Sequence, residues 1–201
     1  MHISVVGLSH RTAPVEIRER LSIPEQTMET SLQSLRGNEQ VLEASILSTC
    51  NRLEIYTLVR NPDLGVSAVS DFLSSHSGLE TGELTPHLFS FHHEDAVDHL
   101  MRVAAGLDSL VLGEGQILSQ VKKMMRLGQE HKSLGPILNR LLTQAVTLAK
   151  GSAVRPTLER EPFPSVQRPL SLPSSSWVNP AVWINWSPWK VSRSLWLVQG
   201  V

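Results

Sequence analysis

Cysteine is nearly absent from this chain of 201 residues, which contains Cys50 alone. A single cysteine excludes an intramolecular disulfide framework and a zinc site built from several thiolates, and it is typical of a reducing compartment. Long apolar runs are also missing, since no stretch reaches the roughly 18 residues that a membrane span needs. The chain starts with strand-forming residues where an export signal has a charged and then an apolar segment. We therefore expect a cytoplasmic protein that makes no contact with a membrane.

Excess positive charge is lacking as well. The 18 lysines and arginines are balanced by 19 acidic residues, which leaves a net charge of -1 at pH 7. No broad basic field can therefore hold nucleic acid non-specifically, and any such contact must be local. Lys122, Lys123 and Arg126 form one basic stretch, which is either a contact for nucleic-acid phosphates or an ordinary solvated helix face.

Strand and helix patterns are mixed in the first part of the chain and only helix patterns follow, which predicts the α+β class. Apolar and β-branched runs predict strands over 3–6, 44–48 and 53–59. A capping box that begins at Ser22, followed by helical spacing and a stop at Gly37, predicts one helix between these two residues. Further helices are predicted over 66–73, 95–106, 117–131 and 137–150. We expect a two-layer α/β domain over residues 1–150 that ends in the start of a long helix.

The composition changes sharply after Lys150. All five tryptophans and seven of the twelve prolines lie in residues 151–201. Each proline removes a backbone donor, and the tryptophans follow no regular period, so we expect an irregular or disordered tail. A shifted reading frame explains this segment, and a natural tail with an aromatic docking patch is the alternative. Without a continued helix, we expect apolar positions such as Leu138, Leu142 and Val146 to be partly uncovered.

Cys50 lies between two predicted strands, where a side chain reaches a cleft. It is either a small buried hydrophobe or a nucleophile. The second interpretation is favoured by its polar neighbours, because Arg52 favours a thiolate and can bind a carboxylate. A proton donor or acceptor is also needed, and His99 on a predicted helix is the leading candidate. The segment 92–95, His-His-Glu-Asp, either binds a metal or stabilises the start of the next helix with its acidic side chains, and we expect no metal.

Three long segments, residues 7–14, 48–56 and 104–118, resemble glutamyl-tRNA reductase in the order expected for that family. The resemblance covers roughly residues 1–150. It implies an NADPH-dependent oxidoreductase that reduces glutamyl-tRNA to glutamate 1-semialdehyde, the first step of five-carbon tetrapyrrole (porphyrin) biosynthesis. The Cys50 thiolate takes the glutamyl group from tRNA as a thioester intermediate, and hydride from NADPH then reduces that thioester.

The same resemblance implies the site residues. His99 falls at a position important for activity, and the predicted contacts to the glutamyl substrate are Thr49, Asn51, Arg52, Ser109, Glu114, Gly115, Gln116 and Gln120. Arg52 suits the substrate carboxylate and Glu114 its ammonium group. Members of the family commonly have proline where this chain has Gly115, for which we expect a small effect.

The chain departs from the family beyond residue 150. The family continues with an NADPH-binding domain and a dimerisation domain on a long helix, and it works with the next enzyme, the glutamate-1-semialdehyde aminomutase. The glycine-rich turn of a dinucleotide site is missing, because only Gly151 and Gly200 follow residue 150. We therefore expect a truncated chain that keeps the thiol chemistry but cannot transfer hydride. The alternative is a non-catalytic remnant that binds tRNA or a partner.

Overall fold

Four antiparallel strands form the centre of the structure, a computed structural model that describes residues 1–109 and 115–153. The strand order across the sheet is β2-β3-β1-β4. The strands are β1 (His2–Ser9), β2 (Val41–Ser48), β3 (Arg52–Val59) and β4 (Phe89–His92). Strands β2 and β3 are neighbours joined by only three residues, so the turn that carries Cys50 lies at one end of the sheet.

Seven α-helices surround the sheet within the described residues. They are α1 (Val15–Leu21), α2 (Glu25–Arg36), α3 (Pro62–Ser77), α4 (Thr81–Leu84), α5 (His93–Ala104), α6 (Gly115–Glu130) and α7 (Pro136–Ala153). The α+β class is confirmed, and every strand and helix predicted from the sequence is present. The capping box at Ser22 is wrong: Pro24 precedes the first turn of α2, and no side chain caps it.

The sheet has helices on both faces, so the expected two-layer arrangement is wrong and the domain has three layers. One hydrophobic cluster joins Val6, Leu8 and Ile55 to residues of α1, α2 and α3. A second cluster joins Val5 and Tyr56 to residues of α5, α6 and α7. Apolar and polar residues alternate along β3, and all eight of its residues are buried, because the polar positions pair with one another beneath α5.

Helix α7 is fixed to the sheet by a buried carboxylate. Glu43 of β2 accepts hydrogen bonds from the backbone N–H groups of Ile137, at 3.2 Å, and Leu138, at 2.7 Å. These donors belong to the first turn of α7, where N–H groups have no helical partner and a negative charge is favourable. Gly135 leaves room for this contact, because a Cβ atom there would lie 2.4 Å from Glu43 Oε1.

The expectation of an uncovered face on the last helix is also wrong. Leu138 is completely buried, and Leu142 and Val146 are 1% and 7% exposed. Their cover comes from the sheet and from α5 and α6, which the sequence pattern alone did not place against α7.

The remaining expectations about the C-terminal part fall outside the described residues. The irregular or disordered tail was predicted for 151–201, of which the structure describes only the end of α7. None of the described helices combines the length and the apolar character needed to cross a bilayer.

Removing the carboxylate of Glu43 tests how α7 is anchored. The change Glu43→Ala leaves two N–H groups without their acceptor, one of them buried, so we expect a loss of about 2–3 kcal/mol in the free energy of unfolding. Urea denaturation followed by circular dichroism measures it. The matched control is Glu39→Ala, an exposed position whose change is expected to cost at most about 0.5 kcal/mol. Equal effects of the two substitutions would contradict the assigned role of Glu43.

Candidate active site

The turn that carries Cys50 is fixed by the residue before it. The Thr49 N–H donates to the Arg52 carbonyl at 2.9 Å. The Thr49 hydroxyl oxygen accepts from the N–H groups of Asn51 and Arg52 at 3.2 and 3.1 Å. These bonds close the turn upon itself and leave the Cys50 side chain exposed at its tip. A nucleophile in such a position is both accessible and held in place.

Two residues from outside the turn also hold it. Arg18 of α1 donates from Nη1 to the Cys50 carbonyl at 2.6 Å and to Asn51 Oδ1 at 3.3 Å. The His10 N–H, in the loop after β1, donates to the Asn51 carbonyl at 2.8 Å. The cation that contacts the Cys50 turn is therefore Arg18, whereas the sequence pattern suggested Arg52.

A cavity of about 230 Å³ lies beside the turn. It brings together most of the site residues predicted from the sequence. The predicted residues that line it are Thr49, Cys50, Asn51, Arg52, Ser109, Gln116 and Gln120, and His10 and Ile117 complete the lining. Gly115, the first residue of α6, is not among the lining residues, and Glu114 lies outside the described part of the chain.

Arg52 lines this cavity but is already bonded to the protein. Its side chain is 2% exposed, and Nη1 lies 2.7 Å from Glu54 Oε1 and 3.1 Å from Asp108 Oδ2. Nη2 donates to the Asp108 carbonyl. Residues 52 and 54 lie on the same face of β3, since side chains alternate along a strand. Arg52 therefore forms part of the cavity wall, and a direct contact with substrate stays a prediction.

Glu54 is the centre of a buried network. Its carboxylate accepts from the Tyr56 hydroxyl at 2.6 Å and lies 3.0 Å from His99 Nε2, in addition to the pair with Arg52. Burial by itself raises the pKa of Glu54, but the hydrogen bond and charge of His99, the charge of Arg52 and the Tyr56 hydroxyl outweigh it and lower that pKa below its ordinary value. Burial first, and then the neighbouring carboxylate, raises the pKa of Tyr56.

His99 faces a different cavity. Together with Phe89, Phe91, Asp95, Asp98 and other residues, it lines a space of about 540 Å³ that does not include Cys50. Asp108 lines this second cavity, and the Arg52 to which it is bonded lines the first. Direct proton exchange between His99 and the thiol therefore finds no support in this arrangement. A role for His99 in activity stays a prediction, and the network offers a route for it through Glu54 and Arg52.

The described residues do not fit a dinucleotide. Such a site needs a parallel strand that enters a helix through a glycine-rich turn. Every described strand pair is antiparallel, and Gly7 lies inside β1, paired with Glu54, with the Leu53 carbonyl 2.6 Å from where a Cβ atom would be. The chemical step assigned to these residues therefore does not involve NADPH. Among the described residues, no group of three or more histidine, cysteine or acidic side chains is arranged to hold a metal.

The basic stretch on α6 is engaged within the protein. Lys123 Nζ lies 2.6 Å from Glu25 Oε2, and Arg126 pairs with both Glu25 and Glu130. These side chains are half exposed. The arrangement favours a solvated helix face over a contact for phosphates.

Sequence reasoning missed three residues of the site. Arg18 holds the Cys50 turn, and Glu54 and Asp108 complete the buried network. A signal was available for Glu54, the one acidic residue of β3, which lies two positions from Arg52. Asp108 is separated from Arg52 by 56 positions, a pairing that no local pattern contains.

Comparisons with known proteins agree with one another. A family model described as Glutamyl-tRNAGlu reductase, N-terminal domain, matches residues 6–155. Two curated proteins named glutamyl-tRNA reductase, from Synechococcus sp. (strain CC9605) and Parasynechococcus marenigrum (strain WH8102), are 98% and 93% identical over 150 residues. Each match covers 75% of this chain and 35% of the relative, so the chain spans about a third of their length.

A solved structure is similar as well. The glutamyl-tRNA reductase from Methanopyrus kandleri matches with a TM-score of 0.59 and 26% sequence identity. The match covers 75% of this chain and 34% of that one.

The pH dependence of stability tests the buried network. The ordinary glutamate pKa is 4.5, and that of folded Glu54 is lower. The ionised carboxylate therefore stabilises the folded state above pH 4.5, and this contribution disappears as the pH falls through the lower folded-state pKa. We expect Glu54→Gln, which is neutral at every pH, to lose about 3 kcal/mol at neutral pH and less at acidic pH.

Urea unfolding at both pH values measures this difference. The same chemical change at an exposed position, Glu19→Gln, is the control and is expected to change stability by at most about 0.5 kcal/mol. A loss at Glu54 that does not vary with pH would contradict the ionised network.

Proposed function

The chain belongs to the glutamyl-tRNA reductase family, and from that premise we propose that residues 1–150 form the domain that accepts the glutamyl group from glutamyl-tRNA. The observation that carries the proposal is the exposed Cys50 thiol, held on a closed turn beside a polar cavity. Thiolates are strong nucleophiles toward carbonyl carbon, and a thioester accepts hydride more readily than an ester does.

The proposed reaction is acyl transfer to sulfur. The Cys50 sulfur attacks the carbonyl carbon of the ester that joins glutamate to the 3′ end of tRNA, and the thiol proton leaves with a base. The bond between the carbonyl carbon and the ribose oxygen then breaks, and the oxygen takes up a proton. The products are tRNA with a free hydroxyl and a glutamyl thioester on Cys50.

The polar lining of the cavity supports recognition of the glutamyl group. Ser109, Gln116 and Gln120, which carry hydroxyl and amide groups, line the cavity and are distant in sequence from the Cys50 turn. Thr49 and Asn51 belong to the turn itself. For Arg52, an incoming carboxylate has to share the guanidinium with Asp108, whose side chain is 14% exposed. We keep Glu114 and Gly115 as proposed contacts in the segment where α6 begins.

We assign His99 a positioning role. Its Nε2 contacts Glu54 Oε1, the same oxygen that pairs with Arg52 Nη1. A change at His99 therefore alters the partner of Arg52 and, through it, the wall of the Cys50 cavity. This role accounts for an effect on activity without placing His99 beside the thiol.

The remaining steps belong to the proposal for the whole enzyme. They are NADPH-dependent reduction of the thioester to glutamate 1-semialdehyde, and delivery of that product to the aminomutase in the cytoplasm, with a homodimer as the assembly. The described residues do not fit NADPH, so we assign them acyl transfer alone. We propose that residues 151–201 lie outside this catalytic domain.

Trapping the acyl group tests the proposal. The protein is mixed with glutamyl-tRNA, quenched with acid and analysed by intact mass spectrometry. We expect the mass of one added glutamyl group. Hydroxylamine is expected to remove this group, because hydroxylamine cleaves thioesters. The change Cys50→Ser is expected to reduce the amount of this adduct at least about 100-fold, because the chain has no other thiol. Ser119→Ala, an exposed change on α6, is the control and is expected to keep it.

The outcomes separate the two functions considered for this chain. An adduct that persists in Cys50→Ser would contradict the proposed nucleophile. Binding of glutamyl-tRNA with no adduct in the unchanged protein would instead support the non-catalytic alternative.

A further inference from the structure

His10 lines the cavity that contains Cys50, and it directly follows β1. Its backbone N–H donates to the Asn51 carbonyl at 2.8 Å, so its loop and the Cys50 turn are bonded to each other. The two side chains are therefore positioned by one hydrogen-bonded unit.

The imidazole of His10 has a ring nitrogen with no hydrogen-bond partner among the described residues. This atom, Nδ1, is buried. A buried polar atom without a partner is costly, so its persistence in a folded protein points to a function.

The surroundings of His10 favour its neutral form. Burial is the first cause that lowers its pKa, and the charges of Arg11, Arg52 and Arg18 lower it further, against the opposite effect of Asp108. These charged groups come from the His10 loop itself, β3, α1 and the segment after α5. A neutral imidazole has a lone pair that accepts the proton of a thiol.

His99 cannot serve as an equivalent base for the thiol. It lines the other cavity, and its Nε2 is already bonded to Glu54. Arg52 lines the cavity of the thiol, and Asp108, to which Arg52 is bonded, lines the cavity of His99.

We propose that His10 is the catalytic acid and base of the acyl transfer at Cys50, an inference that rests on the proposed function. His10 takes the thiol proton as the sulfur forms its bond to the ester carbonyl carbon. The imidazolium so formed then gives this proton to the ribose oxygen as the carbon–oxygen bond breaks. No other reactant is needed, and His10 ends the step neutral.

Two esters with different leaving groups test this role. The ribose oxygen of glutamyl-tRNA is a poor leaving group and needs a proton, whereas 4-nitrophenolate leaves without one. For His10→Gln we expect adduct formation on Cys50 to slow about 100-fold with glutamyl-tRNA, and far less, about fivefold, with the 4-nitrophenyl ester of glutamate. Rapid quench and intact mass spectrometry measure both rates.

Two further variants and one matched control complete the experiment. His10→Asn is expected to show the same selectivity as His10→Gln. His99→Gln is expected to slow both esters by a similar factor, because it acts on the cavity wall. His76→Gln is the same change on α3, where His76 contacts the Ser22 carbonyl, and is expected to leave both rates unchanged.

The outcomes distinguish a failure of the role proposed for His10 from a failure of the proposed function. If both His10 variants slow the two esters equally, or neither ester, the acid and base role is overturned while the proposed function stands. If the unchanged protein forms no adduct from either ester, the proposed function fails, and the role of His10 with it.

Discussion

The buried ion pair between Arg52 and Glu54 is the interaction on which the site depends. Both side chains lie on one face of a central strand, with 2% and 0% exposure, and neither could remain charged there alone. Asp108, Tyr56 and His99 supply the remaining partners. Because His99 lies on α5 and Asp108 follows that helix, satisfying the pair also fixes the second helical layer over the sheet. The contacts that compensate the buried charges are thus also contacts that pack α5 against the sheet.

Arg52 and Asp108, which are bonded to each other, line two cavities with different chemistry. Arg52 belongs to the wall of the smaller cavity, which contains the thiol and the unpartnered imidazole of His10. Asp108 belongs to the wall of the larger one, which contains His99 and two phenylalanines. His99 is therefore connected to the wall of the Cys50 cavity through the carboxylate that it shares with Arg52. The histidine beside the thiol comes from a loop whose motif gave no indication of its role.

The sequence predicted the long elements because their patterns are periodic and their ends carry glycine or proline. It missed α1, α4 and β4, which have only seven, four and four residues and give too few repeats for a period to emerge. The residues beside Cys50 were predictable because the turn itself brings them together. Asp108 and Arg18 were not, since each reaches the site from a distant segment. The burial of Glu54 in β3 was not predictable from a local pattern either, because its partner His99 lies on a helix distant in sequence.

A crystal structure with a stable substrate analogue tests whether the acyl group is bound beside Cys50 and His10. The protein with Cys50→Ser is combined with a glutamyl-adenosine analogue in which an amide replaces the reactive ester. We expect the glutamyl carbonyl carbon to lie beside residue 50, with the imidazole of His10 within hydrogen-bond distance of the amide nitrogen that replaces the leaving oxygen. A glutamyl group in the cavity of His99, with the Cys50 cavity empty, would contradict it.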